Sequence, residues 1–311
     1  MNSPAGYLDS HLHLQAQHLE LTLGSILERA EKAGVERMFC NATREEDWQA
    51  VINLADRGKE AGGKQLIVPF LGIHPWFAES AGTGWEERLL ARLQECPAGI
   101  GEIGLDKCCR ADFDRQQRVF EAQLSMASAL RRPVAIHCVK AWGLLLEILE
   151  HLAAAKQLPA IMIHAYGGST ETLQRLIGLG CFISFSCRLI ADHKRHPSFL
   201  ATPLTHLLLE TDSQGRLSVA GAREGAGATD SQGRPSVADA REEAGGVTAA
   251  PTQTRSVQPV ETENHEISCN EPANITSLYA WAAAMRGIEE QELRQRIWSN
   301  GEIFTDTILH R

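Results

Sequence analysis

No stretch of this chain approaches the roughly 18 uninterrupted apolar residues that a membrane-spanning helix requires, which argues against an integral membrane protein. The opening MNSPAGYLDSHLH carries neither a basic patch nor the apolar run of a secretion signal, so the sequence reads as that of a cytoplasmic protein. Eight cysteines are present, but none forms a Cys-x-x-Cys pair. That argues against a zinc knuckle or a disulfide framework and favours reduced thiols. Positive charge is not in excess either. Thirty Lys and Arg stand against 39 Asp and Glu, a formal charge of −9, and the pI is near 5.8. Such a chain does not coat a nucleic-acid duplex through bulk charge, so a phosphate-bearing substrate must be held locally, by metal or by a few arginines. No Gly-x-Gly-x-x-Gly turn follows the first apolar run, which weighs against an open dinucleotide-binding sheet.

What the sequence does contain is a regular alternation. With 43% apolar and 22% charged residues over 311 positions, the composition is that of a globular protein and not of a disordered, collagenous or coiled-coil chain. Short apolar runs recur at Gly6–Leu8, Arg37–Cys40, Leu66–Ile73, Gly99–Ile103, Pro133–Ile136, Ala160–Ile163, Cys181–Phe185 and Leu207–Leu209. Between most of them apolar residues fall at helical spacing, as at Ile26, Ala30 and Ala33, or Leu144, Leu145, Ile148 and Leu152. Eight strand–helix units predict parallel pairing through helical crossovers and close most naturally as a (β/α)8 barrel of the TIM type. The whole chain, 1–311, is expected to be one such domain with a long insertion after strand 8.

That insertion, from about residue 213 to 268, is rich in Gly, Ala, Ser, Thr and charge and poor in large apolar residues, so it buries too little surface to offset ordering. Within it TDSQGRLSVAGAREGAGA (211–228) is repeated as TDSQGRPSVADAREEAGG (229–246), identical at 14 of 18 positions. The repeat is too short and polar to be a solenoid. Order is expected again from NEPANITSLYAWAAAM and IEEQELRQRIWSN, read as two closing helices.

Four of the eight predicted strands end in histidine and two in carboxylates. The first ends Asp9-Ser10-His11-Leu12-His13, the third runs into His74, the fifth into His137 and the sixth into His164. The fourth carries Glu102 and, just beyond, Asp106, and the eighth ends Glu210-Thr211-Asp212. In a parallel barrel all C-terminal strand ends open on one face, so these groups converge. His11 and His13, two apart on an extended strand, point to the same side. Each histidine taken singly is compatible with a satisfied core residue. Imidazoles and carboxylates gathered at six strand ends are the donor set of a borderline-hard divalent metal. A buried Glu102 among apolar neighbours also requires a cationic partner. Asp106 alone reads equally well as a turn or cap residue, and the adjacent Cys108 and Cys109 as incidental thiols.

These residues sit in DSHLH, GIHPW, GEIGLD, RQQRVFEAQLSMASALRRPVAIH, IHAYGGS, LLLETDS and NEPANI, in that order along nearly the whole chain outside the insertion. In this the sequence resembles the TatD family of metal-dependent deoxyribonucleases, within the amidohydrolase-like barrels. The resemblance implies two divalent cations, with Mg, Mn, Zn and Fe all compatible with the donors. His11, His13, Glu102 and Asp212 would hold one, and the shared Glu102 with His137 and His164 the other. It further implies a 3'–5' exonuclease-like deoxyribonuclease in which Asp212 serves as base beside Glu102, with His74 on the phosphate side of the site. DNA, or another phosphodiester, is the expected partner, and no membrane. Two departures stand out. After the fifth-strand histidine the family usually has a small residue and an arginine, whereas this chain runs His137-Cys138-Val139-Lys140, so a phosphate contact falls to Lys140 or is absent. The insertion also delays Asn270-Glu271-Pro272 and creates a second Thr-Asp-Ser at 229–231. Only Asp212 follows an apolar strand, so Asp230 is expected to be a solvated copy. Two other readings stay open: amide or ester hydrolysis at the same metal site, and a catalytically idle scaffold.

Overall fold

The computed structural model describes residues 6–15, 22–60, 67–213 and 271–309. The insertion beyond Ser213, its duplicated repeat with Asp230, and Asn270 lie outside the described residues. Eight parallel strands run in sequence order: β1 (Tyr7–Leu12), β2 (Val35–Asn41), β3 (Ile67–Leu71), β4 (Gly99–Asp106), β5 (Val134–Val139), β6 (Ile161–Ile163), β7 (Phe182–Ser186) and β8 (Leu207–Glu210). Each predicted apolar run contains or overlaps one of them. Their order, with each strand paired to the next, is that of a (β/α)8 barrel. The ring closes between β8 and β1. There Asp212 N donates to His11 O at 3.0 Å and His13 N to Ser213 O at 2.9 Å.

Helices fill the crossovers: α1 (Leu23–Lys32), α2 (Trp48–Glu60), α3 (Trp85–Glu95), α4 (Phe113–Leu130), α5 (Trp142–Ala154), α6 (Thr170–Gly178), then the short α7 (Arg188–Ala191) and α8 (His196–Ala201). The two helices expected after the insertion are α9 (Ile275–Arg286) and α10 (Glu290–Leu309). Local chemistry sets their ends. The Asp112 carboxylate accepts from Arg115 N at 2.7 Å to cap α4, Ser169 caps α6, and left-handed Gly287 stops α9.

Strand residues are buried almost without a break, as in a sheet covered on both faces. Phe304 of α10 packs against Phe39, Phe70 and Phe182 from β2, β3 and β7. Asn300 donates to Leu207 O at the start of β8. Helix α10 therefore covers the end of the ring where the strands begin, and the opposite end is left for the site. No helix among the described residues is long and apolar enough to cross a membrane.

Candidate metal centre

The strand ends deliver the predicted residues to one cleft of about 440 Å³, lined among others by His13, His74, Glu102, His137, His164 and Asp212. His11 lies just beneath, fully buried. At the centre is Glu102, 3% exposed on β4. Its two oxygens face different histidines. Oε2 lies 3.2 Å from His11 Nε2 and 3.3 Å from His13 Nε2. Oε1 lies 2.9 Å from His164 Nε2, 3.0 Å from His137 Nδ1 and 3.3 Å from His74 Nε2. Asp212 reaches in from the rim, with Oδ1 3.8 Å from His13 Nε2. Candidate metal-holding triplets are His11/His13/Glu102, His11/His164/Asp212 and His74/Glu102/His137. Lys140 is exposed, with φ of 53° after β5, and is not part of the cleft wall. The basic side chains on that wall are Arg44, Arg188 and Arg195.

The far nitrogens of these rings test whether a cation fits. His13 Nδ1 is 2.7 Å from Asn41 O, an obligate acceptor, so it carries a proton and leaves a lone pair on Nε2. His164 Nδ1 is 3.1 Å from Glu210 Oε1, and His137 Nε2 is 3.4 Å from Asp106 Oδ2. In both cases a carboxylate holds the outer proton. The inner nitrogens then turn lone pairs toward Glu102, an arrangement that a cation, or protonation of the ring, must neutralise. His74 is different. Its Nδ1 accepts from Trp76 N at 3.2 Å, so the neutral ring bears its proton on Nε2 and faces Glu102 as a donor. The donor set of three such histidines, His11, Glu102 and Asp212 fits a borderline-hard divalent ion.

Charge follows the same division. Burial opposes ionisation of His164, but Glu102 and Glu210 outweigh it and hold the ring well above its ordinary value. Burial also works against Glu102, and His164, His74 and His11 overcome it, so the carboxyl stays well below the usual range. For His74 burial wins and lowers the ring to about 4. Beneath the cluster lies Asp9, which accepts from Thr211 N at 2.9 Å; burial pushes its carboxyl up to about 8 despite that bond.

Several side chains matter here that the sequence did not single out. Glu210, fully buried, also accepts from Ala165 N at 2.9 Å and thereby ties the exit of β6 to β8. Asp106, which the sequence left open between a strand-end donor and a turn or cap residue, accepts from Trp76 Nε1 and from Cys108 N, both at 2.7 Å, while its other contact is His137. Helix α4 places Gln116 and Gln123, seven residues apart on its buried face, against the exits of β4 and β3. Gln116 accepts from Asp106 N at 2.8 Å and donates to Asp106 O at 3.1 Å, and Gln123 accepts from Ile73 N at 2.7 Å. Buried glutamines on an otherwise apolar face were the available signal. Gly104 has φ of 148°, and a Cβ there would run into the backbone of His137, so only glycine lets β4 lie this close to β5.

Residues 8–305 match the family model described as TatD related DNase. The chain belongs to this family. Among curated relatives it is 26% identical over 226 residues to "Deoxyribonuclease TATDN3" of Homo sapiens, covering 67% of this chain and 78% of that protein. It is 30% identical over 200 residues to "3'-5' ssDNA/RNA exonuclease TatD" of Erwinia tasmaniensis, covering 60% and 72%. The crystal structure of the TatD homologue YJJV from Escherichia coli K12 superposes with a TM-score of 0.71 over 96% of this chain and 97% of that one, at 23% identity, and so shares its fold.

Proposed function

We propose that this member of the TatD-related DNase family is a metal-dependent hydrolase that uses two divalent cations to cleave phosphodiester bonds of DNA, removing nucleotides from a 3' end. One observation carries the reading: the two oxygens of Glu102 face different histidines, Oε2 toward His11 and His13, and Oε1 toward His137 and His164, with His74 on that side as well. A carboxylate so placed suits two cations, the first completed by Asp212. Single-stranded substrate and direction of cleavage follow the Erwinia relative's name.

Bound cations would supply positive charge that acidifies a water and offsets charge developing on the phosphate oxygens. The chain's own groups do the rest. Asp212, one-fifth exposed at the rim, takes the proton of the attacking water. Its backbone is left-handed, φ 54°, a conformation aspartate tolerates better than most residues, and its N–H is fixed on His11 O. His74 Nε2, which faces Glu102 Oε1 at 3.3 Å, turns its proton to a phosphate oxygen when substrate binds, and being neutral the ring does not compete with the cations. Arg44 and Arg188 add charge along the wall, and exposed Lys140 attracts the polyanion beyond the rim.

Metal analysis joined to an activity assay tests this. Two equivalents per chain and hydrolysis of an oligonucleotide are expected, and Glu102→Gln should keep the fold while losing both the metal and at least about a thousandfold in rate, some 4 kcal/mol of barrier. A single equivalent would refute the paired-cation reading. Undiminished hydrolysis by the variant would remove the site altogether. Cleavage of carboxylic esters or amides with none of oligonucleotides would move the enzyme to carbonyl chemistry.

A further inference from the structure

We propose that Trp76 is a stacking platform for the nucleobase next to the scissile phosphate. The proposal rests on the phosphodiesterase reading above. Among the described residues four large apolar side chains are exposed, Trp76, Leu90, Leu200 and Ile303, and of these only Trp76 lines the cleft. It is 58% exposed, and an indole left in water forgoes the gain of burial unless something else covers it.

The ring is also held still. Its Nε1 donates to Asp106 Oδ2 at 2.7 Å, and its plane stands at 83° to that of His74, with centroids 4.9 Å apart. Its backbone lies in the first turn of a 3-10 segment, Pro75–Ser80, capped by the His74 ring. Orientation is thus fixed before any ligand arrives, and little side-chain freedom is left to lose on binding. Neighbouring Phe77 offers no such surface, because the Arg44 guanidinium lies over its ring at 5.3 Å. A flat π-system beside a phosphate-binding centre is a nucleobase, and every base has a face that stacks on an aromatic ring. Trp76 follows β3 and Arg188 follows β7, four strands away in a ring of eight. A strand laid from the indole toward Arg188 therefore crosses Glu102 and its histidines.

A cycle between protein and substrate tests the contact. Wild type and Trp76→Ala are assayed on a single-stranded oligonucleotide with either an intact terminal nucleotide or a tetrahydrofuran abasic residue in its place. Removing the base should raise KM about tenfold for wild type. The alanine variant should show that same loss on the intact substrate and no further loss on the abasic one. Trp76→Phe, which keeps a ring but not the N–H to Asp106, should retain the dependence on the base in KM while kcat falls. A tenfold penalty for base removal that persists in Trp76→Ala overturns the stacking role, while hydrolysis by wild type keeps the phosphodiesterase reading standing. Wild type inert toward every oligonucleotide overturns both.

Discussion

Three of the histidines around Glu102, His13, His137 and His164, are held by a partner on the outer side, and those partners are as consequential as the donors. Glu210 is the case in point. It fixes the proton of His164 on Nδ1 and also accepts from Ala165 N. Glu210→Ala leaves two buried donors unmatched, and we expect metal affinity to fall about a hundredfold, with about tenfold for Glu210→Gln, as chelator competition would measure. His74 gives a pH signature. Its ring is neutral in the fold, so the stability it contributes is fully present above pH 6.5 and is lost as pH falls toward about 4. In metal-free protein, urea titrations at the two ends of that window should show wild type losing up to about 3 kcal/mol more than His74→Asn, whose amide keeps the cap on Trp76 N. Donors such as His11, His137 and Asp212 were legible because each ends an apolar run. Glu210 and Asp9 were not, because what distinguishes them is a neighbour 46 or 202 residues away in the chain.

At the level of elements, the eight runs were readable from apolar content, while their lengths were not. Strand β1 continues from Leu8 to Leu12 through Asp9, Ser10 and His11, and β4 from Ile103 to Asp106. Polar residues stay extended there because the inner wall of a barrel mouth buries them against each other, and hydropathy alone cannot register that. Helix α4 lies in a stretch that the sequence offered only as a family signature, and its part in positioning two strand exits was not legible there. Gln116 does this with four hydrogen bonds, to Asp106 N, Asp106 O, Ala111 O and Cys109 Sγ. Replacing it by alanine strands several buried groups. A loss of about 3 kcal/mol in denaturant titration is expected, together with lower activity from a loosened Asp106. Gln123→Ala should show the smaller stability loss that goes with its three bonds.

For the molecule as a whole, the acidic balance sets how it meets a polyanion. With a net charge of −9 and, among the described residues, three arginines on the cleft wall, Arg44, Arg188 and Arg195, few counterions are displaced there on binding. The logarithm of substrate affinity should fall with the logarithm of salt at a slope of about −2, the value for two or three contacts to a single strand. A slope several times steeper would mean that a basic surface outside the cleft does the binding. The eight strand–helix alternations made the barrel foreseeable, but the insertion interrupts the sequence just where the last strand meets the first. How that join is made was visible only in three dimensions.

The join has a consequence of its own. The seam is sewn by the backbones of His11, His13, Asp212 and Ser213, and the first three are also candidate metal holders. The cylinder cannot be fastened without bringing those histidines and that aspartate face to face, nor can they part while it stays shut. Completing the architecture and arming the enzyme are therefore a single event, and a lesion at the seam would register in far-ultraviolet circular dichroism and in turnover together.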